Sequence, residues 1–403
     1  MSHKPTKYEV DPYLYMLFGL AFLVTLPGFY CGIIDKHLLP QFGAVMFGIA
    51  IFGAAFILSW AAEAAQIDIS ESLAVAILAL IAVLPEYAVD FVFTWKAAHD
   101  PSQAHYAIAN MTGANRLLVG LGWPLVLLIF ILAKKKKAII LEKNHRVEIF
   151  YLGLATLYSF TIPLKGSLNL IDTVILVTIF AMYTRRAAQL ESKEPEFVGP
   201  VKIIVNLGKN ARRIGTVFCF LFSGVVIFFV AEPFAESLVA TGKEFGINEF
   251  LLVQWLAPIA SEAPEFIVAA TWALRGAAPA ALNALISSKV NQWTLLVGTI
   301  PLVFAISSGT VWRPFVLDNL QNHELILTAA QSVFAVAVLV NLKLSRLDGA
   351  LLLVLFLAQL IVEQIRIEVT IAYIVLAIVF YILHRKSLIP SARTALGFKH
   401  SGD

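Results

Sequence analysis

Stretches of about twenty apolar residues, separated by short polar breaks, repeat from one end of this chain to the other. Each is long enough to cross the hydrocarbon core of a bilayer as an α-helix. The first runs from Pro12 to Ile34. Further spans are predicted over 41–62, 71–95, 104–133, 147–163 and 166–184, then over 214–240, 248–274, 277–306, 322–342, 347–363 and 366–384. The one long polar interruption, 185–213, divides the chain nearly in half. Period-two alternation of the kind that builds a membrane barrel is absent. The pattern predicts an all-α polytopic membrane protein of about twelve transmembrane helices.

Composition agrees. The chain has 403 residues, of which 59% are hydrophobic and 14% charged, and its mean hydropathy is +0.81. Cys31 and Cys219 lie within apolar runs, and no metal-type Cys/His spacing occurs. The net charge of +3 belongs to membrane topology rather than to nucleic-acid binding. With the N-terminus inside, the inner segments collect Lys134 to Lys137, Lys143, Arg146, the seven basic residues of 185–213, Lys343, Arg346, Arg385, Lys386 and others. The outer loops hold only Lys36, Lys96, Lys165, Lys243, Arg313 and Arg366. This bias of more than threefold predicts both termini on the cytoplasmic side. The first run is too long for a signal-peptide core and lacks a cleavage site, so the expected location is a multi-pass protein of a prokaryotic inner membrane. Only Arg116 and Lys289 fall within spans.

Two stretches break the apolar rule most sharply. Leu84-Pro85-Glu86-Tyr87-Ala88-Val89-Asp90 and Ser261-Glu262-Ala263-Pro264-Glu265-Phe266 each place a Pro-Glu pair inside a span. A carboxylate at bilayer depth is costly and generally lines a substrate or ion path. The proline removes one helical hydrogen bond and leaves a carbonyl beside the acid. Glu86 and Asp90, four apart, share a helix face, as do Glu262 and Glu265, three apart.

The two stretches head two similar halves. Leu117-Leu118-Val119-Gly120 recurs as Leu295-Leu296-Val297-Gly298, and Pro124-Leu125-Val126 as Pro301-Leu302-Val303. The repeats begin five spans apart, so they are expected in opposite orientation, an arrangement that places a shared site near the midplane. The expected organisation is residues 1–40 as tail and extra span, 41–184 as the first inverted five-helix repeat, 185–213 as a cytoplasmic linker, 214–363 as the second repeat, and 364–403 as a further span and tail. The following helices offer Asn110, Thr112, Asn115 and Arg116 in one half and Ser287, Ser288, Lys289, Asn291 and Thr294 in the other. Oxygen donors of this kind, with carboxylates, suit hard cations.

The paired Pro-Glu motifs, each followed by a polar small-residue stretch and Leu-Leu-Val-Gly, resemble the α-repeats of the calcium/cation antiporter superfamily, which includes the sodium/calcium exchangers. The resemblance covers about 41–184 and 214–363. It implies that Glu86 and Glu265 coordinate the transported cation, and that Asn110 or Asn115, with Ser288 and Asn291, complete the site. It also implies a ten-helix core of two inverted halves. Where the family has Gly-Ser-Asn in the second repeat, this chain has Ser287-Ser288-Lys289. The expected function is secondary antiport of a cation, Ca²⁺ foremost, against Na⁺ or H⁺, with no cofactor and with the bilayer and small inorganic cations as partners. The alternative is monovalent cation/proton exchange with Lys289 as counter-charge. An intramembrane hydrolase lacks its motifs here, a non-transporting scaffold would not need the repeat, and no phosphate-binding loop supports ATP coupling. Lys289 lies too deep to reach either surface, so a partner is expected from Glu265, Glu262 or Glu86.

Overall fold

A computed structural model describes residues 8–34, 38–68, 84–190 and 197–397. Among these residues, nine helices are long and apolar enough to cross a membrane. They account for nine of the twelve expected spans. Of the other three, 71–95 lies half outside the described residues, 166–184 is an eighteen-residue helix that carries Asp172, Arg185 and Arg186, and 347–363 is a sixteen-residue helix. The ends of the chain and the linker residues 191–196 also lie outside the described residues.

The chain packs as two compact units, 1–92 with 191–264, and 93–190 with 265–403. Each unit draws on both sequence halves, and the boundaries fall within the two Pro-Glu helices and once in the polar linker, between 190 and 191.

In the first unit, α1 (Pro12–Ile33) and α2 (Pro40–Ala65) pack with a later helix, α10 (Lys209–Phe245). At 37 residues, α10 is about 55 Å long. Small residues let the backbones approach: a Cβ added at Gly28 would stand 2.6 Å from the Ala50 Cβ. Such close contact is how apolar helices associate in lipid. The linker is not bare coil. It contains α9 (Val201–Val205), whose Val201, Ile204 and Val205 join Phe197, Ile57, Trp60 and Cys219 in one buried cluster. Just beyond α2, Asp68 accepts hydrogen bonds from Arg212 at 2.7 and 3.2 Å and from Arg213 at 2.9 Å. The Arg212 hydrogen bond, above all, holds the Asp68 carboxyl below its ordinary value of 3.8. A carboxyl whose folded-state pKa is depressed stabilises the fold above its unfolded value, and that contribution disappears as pH falls through the folded value. Asp68→Asn should therefore lower the melting temperature at neutral pH. The gap from wild type should narrow below about pH 4, which melting curves of the purified protein across pH will check.

In the second unit, α4 (Ala104–Leu117) passes through a π-helical segment, Leu118–Gly122, into α5 (Trp123–Lys134). In the later half, α12 (Ala278–Asn291) passes through a π segment, Gln292–Leu296, into α13 (Val297–Ser308). The lengths match element by element, 14, 5 and 12 residues in each. Around them stand α6 (Arg146–Ser159), the short α7 (Thr161–Lys165), α8 (Leu170–Ala187), α14 (Asn319–Leu339), α15 (Arg346–Ile361) and α16 (Arg366–Leu383). The chain closes with an amphipathic helix, α17 (Arg385–Leu396), in the stretch expected as tail. Arg146 of α6 donates to Ser391 Oγ at 3.1 Å, and Arg186 of α8 to the Thr394 carbonyl at 2.9 Å.

Two small antiparallel sheets join loops of the two halves. Strand β1 (Ala138–Ile140), after α5, pairs with β4 (Lys343–Ser345), before α15. Strand β2 (Ser167–Leu168), before α8, pairs with β3 (Phe315–Val316), after α13. Exchanging the halves turns one pairing into the other. Because α6 and α7 separate β1 from β2 along the chain, the sheets sit at opposite ends of that helical stretch.

Candidate functional site

The Pro-Glu residues lie on α3 (Leu84–Ala97) and α11 (Glu249–Arg275). Although α11 contains Pro258 and Pro264, it runs through both without interruption. Pro264 lacks an N–H, so the Ala260 carbonyl one turn earlier loses its helical donor while the helix continues. The interruptions of regular α-helix fall instead in the two π segments, a feature concentrated at functional sites.

Glu86, Asp90 and Glu262 belong to the first unit and are almost completely withdrawn from solvent, at 1%, 0% and 2% exposure. The Ser261 hydroxyl bonds back to the Ala257 carbonyl at 3.2 Å. Glu265 belongs to the second unit, and its carboxyl has the Ser288 hydroxyl beside it. Asn110, Asn115 and Asn291 are fully buried in that unit. Thr112 and Thr294 are buried as well, but their hydroxyls are spent on the Ile108 and Val290 carbonyls, each at 2.6 Å.

Lys289 and Asn115 are brought together. Each is the twelfth residue of its fourteen-residue helix, so the two matched helices meet at equivalent positions. The Lys289 ammonium donates to Asn115 Oδ1 at 2.8 Å and to the Asn115 carbonyl at 3.2 Å. It also lies 4.5 Å from the centre of the Trp293 ring, a favourable seat for a desolvated cation. Asn115 Nδ2 in turn donates to the Met111 carbonyl at 2.8 Å, which fixes the amide with its oxygen toward the lysine.

Sequence reasoning missed the partners of Arg116. This fully buried guanidinium pairs with Glu324 on α14 and donates to Gln359 Oε1 on α15 at 2.7 Å. The other oxygen of Glu324 accepts from Arg366 at 2.7 Å. The available signal was an acid followed by Thr328 and Gln331 inside an apolar span.

A bundle of membrane-length helices that buries carboxylates, amides and an ammonium away from water is built to handle ions within a bilayer. Such groups mark an ion path across it. Residues 40–187 and 215–363 match the sodium/calcium exchanger protein family, and the chain belongs to that family. Among solved structures, it is 42% identical to the H⁺/Ca²⁺ exchanger CAX, covering 96% of this chain and 98% of that one, with a TM-score of 0.92. The structure of native YfkE is similar at 17% identity, over 90% and 99% of the two chains, with a TM-score of 0.59. The sodium-calcium exchanger NCX_Mj matches at 18% identity, over 84% and 98%, with a TM-score of 0.51. The last two share the fold alone. Comparison with curated proteins gives no match.

Proposed function

We propose that this protein exchanges Ca²⁺ for H⁺ by alternating access, with Glu86 and Glu265 as the carboxylates that coordinate Ca²⁺. Asp90, Glu262, Asn110, Ser288 and Asn291 supply further oxygens. Amide, hydroxyl and backbone oxygens share the coordination with the carboxylates, as suits a flexible Ca²⁺ shell. The observation that carries the reading is the buried Lys289 ammonium on Asn115. An ammonium seated where the family's motif has an amide takes the place of a second metal cation, which favours a proton as the counter-ion. The likeness to an H⁺/Ca²⁺ exchanger over 96% of the chain supports the same choice. In proteoliposomes, an imposed pH gradient should drive Ca²⁺ uptake with no Na⁺ present. Uptake driven by Na⁺ alone would overturn the proton assignment, and monovalent cation exchange with no Ca²⁺ movement would favour the alternative substrate.

The proposed architecture is two inverted five-helix repeats, 41–184 and 214–363, joined by a cytoplasmic linker, with one further span at each end and twelve in all. The equal helix–π–helix lengths, the exchange relation of the two sheets and the meeting of Asn115 with Lys289 support it. The charge bias supports cytoplasmic termini in an inner membrane. Lys136 and Trp312 are both exposed, while Cys31 and Cys219 are buried. Single cysteines at 136 and 312, in a background free of the native pair, should react with an impermeant thiol reagent from the cytoplasmic and outer side respectively. Labelling of both from one side would remove the inverted arrangement.

A further inference from the structure

We propose that Arg116 and Glu324 are a positioning pair that sets the rotation of α4 and thereby the grip of Asn115 on Lys289. The inference rests on the reading of Lys289 as part of the transport machinery.

Asn115 and Arg116 are neighbours on one helix, so their side chains leave it about 100° apart. One reaches Lys289 on α12; the other reaches Glu324 on α14 and Gln359 on α15. Rotation of α4 that spoils one contact displaces the other. The carbonyls at this turn are engaged too: Asn115 accepts from Lys289 at 3.2 Å and Arg116 from Gln331 at 3.4 Å. Immediately beyond lies the π segment, where bonding changes from i+4 to i+5 and the helical phase shifts. Gly120 within it is pressed against α15, since an added Cβ would stand 2.3 Å from the Phe356 ring. The ion pair therefore fixes the helix just before the point where its register changes.

Energetics favour a geometric role. Arg116 is 0% and Glu324 1% exposed, and burying two charges costs about as much as their attraction returns, so an apolar pair of similar volume would hold the helices equally well. What an apolar pair would not supply is a direction. A guanidinium held by a carboxylate on one helix and an amide on another fixes one orientation. In the second half the residue after Lys289 is Val290, so α12 has no charged tie at that position. The structure thus assigns α4 as the fixed member of the pair and α12 as the member that carries Lys289 to it.

The test is a double-mutant cycle on the full-length protein in proteoliposomes, read as KM and kcat for Ca²⁺. Glu324→Gln should raise KM by about fivefold or more with kcat nearly unchanged, and in a Lys289→Asn background the same substitution should have almost no effect. Arg366→Gln, which leaves the Arg116–Glu324 pair in place, should keep the wild-type KM. An equal KM shift in both backgrounds overturns the positioning role, as does an unchanged KM with only less folded protein. If Glu324→Gln fails to reach the membrane, Gln359→Leu removes one hydrogen bond of the same guanidinium and must show the same dependence on Lys289. Should Lys289→Asn alone leave KM and ion dependence untouched, the reading of Lys289 falls and takes this inference with it. Additivity of the two changes sinks the positioning pair alone.

Discussion

Glu86→Gln and Glu265→Gln should each abolish Ca²⁺ exchange while the protein still folds and reaches the membrane. A glutamine keeps the shape and one oxygen but removes a unit of charge facing a divalent cation. At a separation of 4 Å and an effective dielectric constant of about 20, one unit charge against another is worth about 4 kcal/mol, on the order of a thousandfold in affinity. A buried carboxylate also costs desolvation when empty, so its removal spares the fold. The check is Ca²⁺ flux alongside a size-exclusion profile for each variant. Full transport by either would remove these two acids from the mechanism, and loss of both transport and folded protein would make their role structural.

Lys289→Asn should have the second largest effect, and of a different kind. It restores an amide where the family's motif has one and deletes a buried ammonium. Transport should continue, but the dependence of Ca²⁺ uptake on the imposed pH gradient should weaken and the charge moved per cycle should change. Electrogenicity in planar or proteoliposome recordings gives the answer. Unchanged ion dependence with reduced stability would reduce Lys289 to a bridge between two helices.

Much of the fold and of the site is legible in the amino-acid sequence alone. Apolar runs mark spans because a bilayer admits few other patterns, and acids inside them stand out because burial makes them expensive. Glu86, Glu265, Asn115 and Lys289 are picked out on those grounds. The π segments are not, since no residue type announces a one-residue change of register. The recurrent Leu-Leu-Val-Gly even disguises it: Leu117–Gly120 enters the first π segment, whereas Leu295–Gly298 leaves the second. Arg116 is visible as a stray charge, but its partner lies 208 residues away, and only tertiary packing pairs them. The helix Val201–Val205 is hidden because five apolar residues among many basic ones read as linker, although they complete a core against Ile57 and Trp60. The prolines of α11 mislead in the other direction. They suggest a break, yet a long, well-packed helix absorbs the loss of single hydrogen bonds.

The matched 14, 5 and 12 residue elements also bear on how the two halves correspond. A π segment amounts to one residue inserted into an α-helix, and the insertion turns every side chain beyond it by about 100°. Counted from the Leu-Leu-Val-Gly run, however, the two segments are displaced by about one turn, the first starting and the second ending at its second leucine. The same four residues thus stand on opposite sides of the register change in the two halves, so equal side chains leave their helices in different directions.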